Sequence, residues 1–167
     1  MKPLRFSTPQ LTALVVLRVL IGWHCLYEGV AKLYSPTWSA GGYLLDAGGP
    51  FAELFHALAE NPTVLDVVDF LNVWGLIAIG LGLMLGVLTR TATLGGIVLL
   101  GLYYLSHPPL TGARYALPTE GSYLLVDKNL IEIAALAVLY LLPTGRIVGL
   151  DRLLFRARTP QPTLTHA

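Results

Sequence analysis

Four apolar runs set the pattern of the chain, at about residues 11 to 33, 64 to 88, 91 to 107 and 128 to 142, separated by stretches rich in Gly, Pro and charge. They are leucine-rich and lack strict alternation, which predicts helices. A membrane barrel would need alternating strands of about ten residues with frequent turns. The first two runs are long enough to cross a hydrocarbon core of about 30 Å, and the last two need their flanks to do so. The expected fold is therefore all-α, an integral membrane four-helix bundle. Thr89, Arg90 and Thr91 join the second and third runs, which predicts a tight antiparallel hairpin.

The first loop holds Pro36, Trp38, Gly41, Gly42, Gly48, Gly49 and Pro50, then Phe51, Leu54, Phe55 and Leu58 at helical spacing before Asn61 and Pro62. That pattern predicts turns followed by a short interfacial helix with its apolar face on the bilayer or the bundle. Residues 147 to 155 mix apolar and basic side chains, which suits a helix lying on anionic headgroups. Residues 156 to 167, with Pro160 and Pro162, read as a disordered tail, and residues 1 to 10 as a short leading segment. Lys2 and Arg5 before an apolar run imitate a secretory signal. With no small-residue cleavage site close behind, the run reads as a retained first span. The four-helix domain then covers 11 to 155.

Composition agrees with this pattern. The 167 residues are 54% hydrophobic and 13% charged, with a mean hydropathy of +0.65, against about 25% charged for soluble domains. A net charge of +1 gives no reason to expect nucleic acid. A single cysteine, Cys25, excludes an internal disulfide, a CxxC pair and c-type haem attachment. Lys2, Arg5, Arg90, Arg146, Arg152, Arg156 and Arg158 all fall on one side of the predicted spans. The positive-inside rule makes that side cytoplasmic, with both termini inside and the two longer loops outside, in the periplasm of a bacterium whose inner membrane the chain would cross four times.

Ionisable groups inside spans are costly and usually functional. Arg18, His24, Glu28 and Lys32 all lie in the first run. At about 1.5 Å rise per residue, Arg18 lies in the inner half, whereas Glu28 is near the outer side. Asp66 and Asp69 at the start of the second run, and Glu132 near the start of the fourth, reach the same outer level. Lys32, Lys128, Asn129 and His107 sit at or above it, which predicts a polar chamber at the outer end. Glu28 with Lys32, and Lys128 with Glu132, have the four-residue spacing of helical ion pairs. Trp23, Tyr27, Tyr103 and Tyr104 lie at similar depth, able to wall a flat ligand. The competing reading is that the polar groups only glue helices together and the aromatics only mark the interface. His24 and His56 read as structural or surface residues without metal-ligand spacing, Cys25 as a buried apolar side chain, and Arg18 as snorkelling inward or pairing across the bundle. The glycines from Gly80 to Gly86, with Gly95 and Gly96, read as close helix packing.

Residues 22 to 44 (GWHCLYEGVAKLYSPTWSAGGYL), GPFAELF from Gly49, VDFLNVWGL from Val68, LYYLSHPP from Leu102, EGSYLLVDKNLIE from Glu120 and PTGRIVGLDRLL from Pro143 resemble the DoxX family. Within it they resemble the DoxD-like large subunit of thiosulfate:quinone oxidoreductase. The resemblance implies a small four-helix membrane protein that oxidises thiosulfate to tetrathionate and passes electrons to a membrane quinone. It also implies a small second subunit or a periplasmic redox partner. On that reading Lys32, Arg114, Lys128 and Asn129, with Asp69 and the four aromatics, bind substrate, and Glu28, His107 and Glu132 carry the proton chemistry. Quinone is the electron acceptor, and no flavin, haem, iron-sulfur or other metal motif is present in the sequence. A non-catalytic scaffold or anchor subunit, and a quinone or lipid carrier, share the same pattern.

Overall fold

A computed structural model describes residues 6–110, 115–117 and 123–154. The expected leading segment, in part, and the expected disordered tail lie outside them, as does Arg114. The elements of the described residues are all helices, with an isolated bridge between Tyr123 and Val126 in a loop.

Local chemistry sets the helix ends. α1 (Thr8–Leu33) starts where the Ser7 N–H donates to the Gln10 side chain, with Pro9 in the first turn. The first loop contains α2 (Gly41–Leu45), a 3₁₀ turn at Gly49–Phe51 and α3 (Ala52–Glu60). α4 (Pro62–Leu85) is capped by Asn61 Oδ1, which accepts from the N–H groups of Thr63 and Val64. It stops at Gly86, whose φ of 67° is the left-handed conformation that ends helices. α5 (Thr89–Ser106) follows after three residues, and α6 (Lys128–Leu141) begins under an Asp127 cap. A 3₁₀ turn at Thr144–Arg146 and α7 (Asp151–Leu154) complete the described chain.

The four apolar runs are thus α1, α4, α5 and α6. α1 packs chiefly on α4, α4 on α5 and α5 on α6, while α1 and α6 meet at fewer points. The shared core contains Ile21, Cys25, Leu76, Leu83, Leu100 and Leu136. α1 and α4 are long and apolar enough to cross a membrane. The exterior is also apolar, with Leu20, Trp23, Tyr27, Phe70, Leu71, Ile131 and Leu141 all exposed, whereas Arg18, Asn72, Thr89, Thr93, Asp127 and Asn129 are buried.

The glycines expected at close helix contacts pack on different partners. Gly86 ends α4, and Gly82 faces Ala92 of α5. The α1–α4 crossing is at Gly22 and Gly80, where a Cβ on Gly80 would lie 2.5 Å from the Leu26 nitrogen and 2.7 Å from the Gly22 carbonyl oxygen. Backbone cannot yield as a flexible side chain does, so Gly80→Ala is expected to destabilise by about 2 kcal/mol. Gly101→Ala, whose Cβ meets nothing within 4 Å, is the comparison. Thermal unfolding in detergent that finds the two variants equal would contradict this packing.

The first loop is tied down more firmly than a surface helix. Ala40, Leu44, Ala47 and Phe55 form a second core with Trp38, Leu58, Leu65 and Val68, so α3 buries its apolar face partly on α2 and α4, leaving Phe51 and Leu54 outside. The segment after α6, expected as a surface helix, is helical at Asp151–Leu154 and keeps Ile147, Val148, Leu150, Leu153 and Leu154 exposed. It folds under the α4–α5 turn, with the Leu150 N–H donating to the Leu85 carbonyl and the Asp151 N–H to the Gly86 carbonyl, which satisfies the end of α4.

Candidate functional site

Three polar layers cross the helices. The innermost is built on Arg18, 3% exposed, which spans from α1 to the segment after α6. Its Nη1 donates to Thr144 Oγ1 at 3.0 Å and its Nη2 to the Val148 carbonyl at 2.9 Å. Of the two expectations for Arg18, pairing across the bundle is the one observed. Beside it, Asp151 accepts from the Leu88 N–H (2.7 Å), the Thr89 N–H (3.0 Å) and the Thr89 hydroxyl, capping the start of α5. This layer is structural: both Nη groups of Arg18 and both oxygens of Asp151 are bonded to backbone or to another member of the network, while the buried Arg18 Nε is left without a partner among the described residues.

The middle layer gathers Cys25, Glu28, Lys32, Asn72, Tyr103, His24 and Glu132. Lys32 does not form the expected ion pair with Glu28. Its Nζ donates to Asn72 Oδ1 at 3.0 Å and to the Tyr103 hydroxyl at 3.4 Å, and it stands over the rings of Trp38 (5.1 Å) and Tyr103 (5.5 Å). Asn72 Nδ2 donates to the Tyr103 hydroxyl at 2.8 Å, which locks both acceptors in place. Glu28 lies within electrostatic reach of Lys32 but not at ion-pair distance. The physical reason is competition: α4 and α5 offer Lys32 two oxygens and the Tyr103 ring, the loop after α1 offers the Trp38 ring, and the ammonium leaves its own helix to take them. Among the described residues, no carboxylate lies within ion-pair distance of this cation.

Glu132 of α6 pairs across to α1, with His24 Nδ1 3.0 Å from Oε1 and 3.2 Å from Oε2. His24, read from the sequence as a structural or surface residue, therefore bridges α1 to α6, two helices that meet at few points. The signal was the four-residue spacing of His24, Glu28 and Lys32, which puts all three on one side of α1. Cys25 is 2% exposed, within electrostatic reach of Glu132, Glu28 and Lys128, and it is packed in the core as expected.

The outermost layer is a loop assembly around His107. The imidazole is buried between Tyr43, stacked at 4.0 Å, and Tyr115 at 4.7 Å. Its Nδ1 is 3.1 Å from Ser106 Oγ, and its Nε2 is 3.5 Å from Asp46 Oδ2. Asp46 also accepts the N–H groups of Ala116 and Leu117, both at 2.9 Å. Those two backbone bonds, more than the neighbouring imidazole, hold the Asp46 carboxyl below the usual carboxylate range. A depressed folded-state pKa means the contribution is fully present above the ordinary carboxylate range and is lost as pH falls through the folded value. Unfolding followed from neutral pH into acid should therefore show an acid-dependent loss that is smaller in Asp46→Asn. Equal acid slopes for both proteins would contradict the assignment.

The remaining expected site residues are placed as follows. Trp23 and Tyr27 face outward, 56% and 61% exposed, on the side of α1 away from Gly22, Cys25 and Gly29. Tyr103 instead turns its hydroxyl to Asn72 and Lys32, and the Tyr104 hydroxyl donates to the Leu125 carbonyl. Asp69 accepts the Ala40 N–H at 2.8 Å and anchors the first loop, and Asp66 is exposed. Asn129 donates to Asp127 Oδ2 at 3.0 Å and braces the α6 cap. Lys128 is half-buried at the start of α6. Among the described residues, no group of three or more His, Cys, Asp or Glu side chains is placed to hold a metal ion. Compared with family models, curated proteins and solved structures, the chain finds no match.

Proposed function

We propose that the chain is a multi-pass inner-membrane oxidoreductase subunit that oxidises thiosulfate to tetrathionate and passes the electrons to a membrane quinone. The observation that carries this reading is the Lys32 ammonium, held by Asn72, Tyr103 and two aromatic faces with no carboxylate at ion-pair distance among the described residues. A cation so placed in low dielectric attracts an anion from the outer side. The apolar exterior supports the membrane setting, because soluble proteins rarely expose so many large apolar side chains together. α5 and α6 complete the bundle in this reading, their flanks extending them across the core.

The reaction joins the terminal sulfurs of two thiosulfate ions in one S–S bond. Each thiosulfate gives up one electron, and the quinone takes both electrons with two protons. Lys32 holds the anion, Glu28 supplies a carboxylate one turn away, and the His24–Glu132 pair stores and passes protons at the seam between α1 and α6. Asn129 and Asp69 are positioning residues in this scheme, and the His107 assembly closes the outer end.

The test is reconstitution of the purified chain in phospholipid vesicles with a quinone, followed by addition of thiosulfate, sulfite or sulfide. Quinone reduction driven by thiosulfate is expected. If the inserted protein reduces quinone with none of the donors, the reading fails. If activity returns only when a second polypeptide is added, the chain is the anchor subunit of a complex.

A further inference from the structure

Among the described residues, the polar layer around Lys32 leaves two hydrogen-bond donors without an acceptor oxygen. An ammonium carries only donors, so the contact from Lys32 Nζ to Asn72 at 3.0 Å fixes Oδ1 on the lysine side of the amide. Nδ2, which only donates, then faces the Tyr103 hydroxyl at 2.8 Å, and Lys32 Nζ reaches the same oxygen at 3.4 Å. The Tyr103 oxygen therefore accepts in both contacts. Its own proton is left over, and no acceptor for it stands among the described residues. Lys32 has a donor to spare as well, because Asn72 and Tyr103 take two of its three N–H groups. The two spare donors sit on atoms 3.4 Å apart. Lys32 and Tyr103 are each only partly buried, so the pair is not sealed in the core. An unpaired donor in low dielectric carries a penalty that an incoming acceptor removes. The donors also decide which acceptor suits them, since N–H and O–H groups bond oxygen well and sulfur weakly. A thiosulfate ion offers both, oxygens at its sulfonate end and a bare sulfur at the other.

We propose that Lys32 and Tyr103 together grip the sulfonate end of thiosulfate, each donating to one of its oxygens, and so turn the terminal sulfur away from the pair, free to meet a second thiosulfate. This rests on the thiosulfate reading above. Tyr103 is on this account a donor to the substrate, where the sequence suggested an aromatic wall. Asn72 is a positioning residue: by occupying the acceptor side of the Tyr103 hydroxyl it leaves the proton for the ligand. The terminal sulfurs are the atoms that the reaction joins, so the grip falls on the part of the ion that stays unchanged. The ligand class is sulfonate anions, and hydrosulfide, which has no oxygen, lies outside it.

The test is isothermal titration of the full chain in phosphatidylcholine nanodiscs, without quinone and without oxygen, so that binding is read apart from turnover. Thiosulfate and methanesulfonate, which has the sulfonate but no terminal sulfur, are expected to bind one site and to displace each other, whereas hydrosulfide displaces neither. Tyr103→Phe keeps the ring beside Tyr43 and Lys32 and loses the proton, and it should weaken both ligands at least about tenfold. That variant also removes an acceptor of Lys32. Tyr103→3-fluorotyrosine separates the two roles, at a pH where the phenol stays protonated, because fluorine makes the hydroxyl a better donor and a poorer acceptor. Tighter methanesulfonate binding is expected in that protein. Weaker or equal binding there, unchanged affinity in Tyr103→Phe, no saturable binding of methanesulfonate, or hydrosulfide competing as well as methanesulfonate would overturn the proposal. A chain that grips methanesulfonate in this way but oxidises no thiosulfate would overturn the function reading and leave the donor pair standing. One that oxidises thiosulfate with Tyr103→Phe unimpaired in binding would do the reverse.

Discussion

Lys32→Met is expected to lower the kcat/KM of thiosulfate-driven quinone reduction at least about 100-fold, the order seen when one preorganised electrostatic contact to a reacting anion is removed. Methionine keeps the length and apolar body of the side chain, so packing against Trp38 and Tyr103 survives while the charge is lost. Lys32→Arg should restore part of the rate, since a guanidinium keeps the charge, can stack on both rings and still reaches Asn72. The effect follows from the partners Lys32 has: were it paired with Glu28, as the four-residue spacing suggests, its charge would be compensated and its removal would matter less. Rates measured in vesicles, with insertion verified by extraction, decide the point. A Lys32→Met variant at the wild-type rate would remove Lys32 from the anion site.

Asp151→Ala is expected to cost about 3 kcal/mol of stability, roughly a hundredfold in the folding equilibrium. The carboxylate takes three donors at the start of α5, namely two backbone N–H groups and the Thr89 hydroxyl, and it faces the positive end of that helix. Alanine leaves those donors without their acceptor in a place where Asp151 and Thr89 are 4% and 1% exposed. Asp151→Asn should recover part of the loss, having one acceptor oxygen in place of two. The measurement is thermal unfolding in detergent, and a melting temperature unchanged from wild type in Asp151→Ala would contradict the capping role. Arg18 depends on the same segment through Thr144 and Val148, so Arg18 and Asp151 variants are expected to be non-additive.

The helices were legible because hydrophobic runs and caps are local. The ends of α1, α4, α5 and α6 fall within about four residues of the apolar runs, where Ser7, Asn61, Gly86 and Asp127 place them. The partners of the ionisable groups were not legible. Helical spacing proposed Glu28 for Lys32, yet the side chain is long enough to reach α4 and α5, and only the packing of three helices decides which acceptor is nearer. His24 read as structural or surface, and its partner, Glu132, lies 108 positions away. How the segment after α6 is anchored was not legible either: its basic and apolar side chains suit a membrane surface and its apolar ones are exposed, while its glycines, Gly145 and Gly149, admit the close approach to Gly86 and Thr89 that fixes it under the hairpin. Depth along a helix, which needs only rise per residue, correctly separated Arg18 from the outer cluster.

The most direct measurement is the stoichiometry of a reconstituted wild-type reaction under anaerobic conditions, with quinol and tetrathionate quantified in the same sample. One tetrathionate for each quinol formed, with two thiosulfate ions consumed, is the expected result. Quinone that stays oxidised while thiosulfate is recovered unchanged, in vesicles where the chain is inserted and intact, would contradict the account.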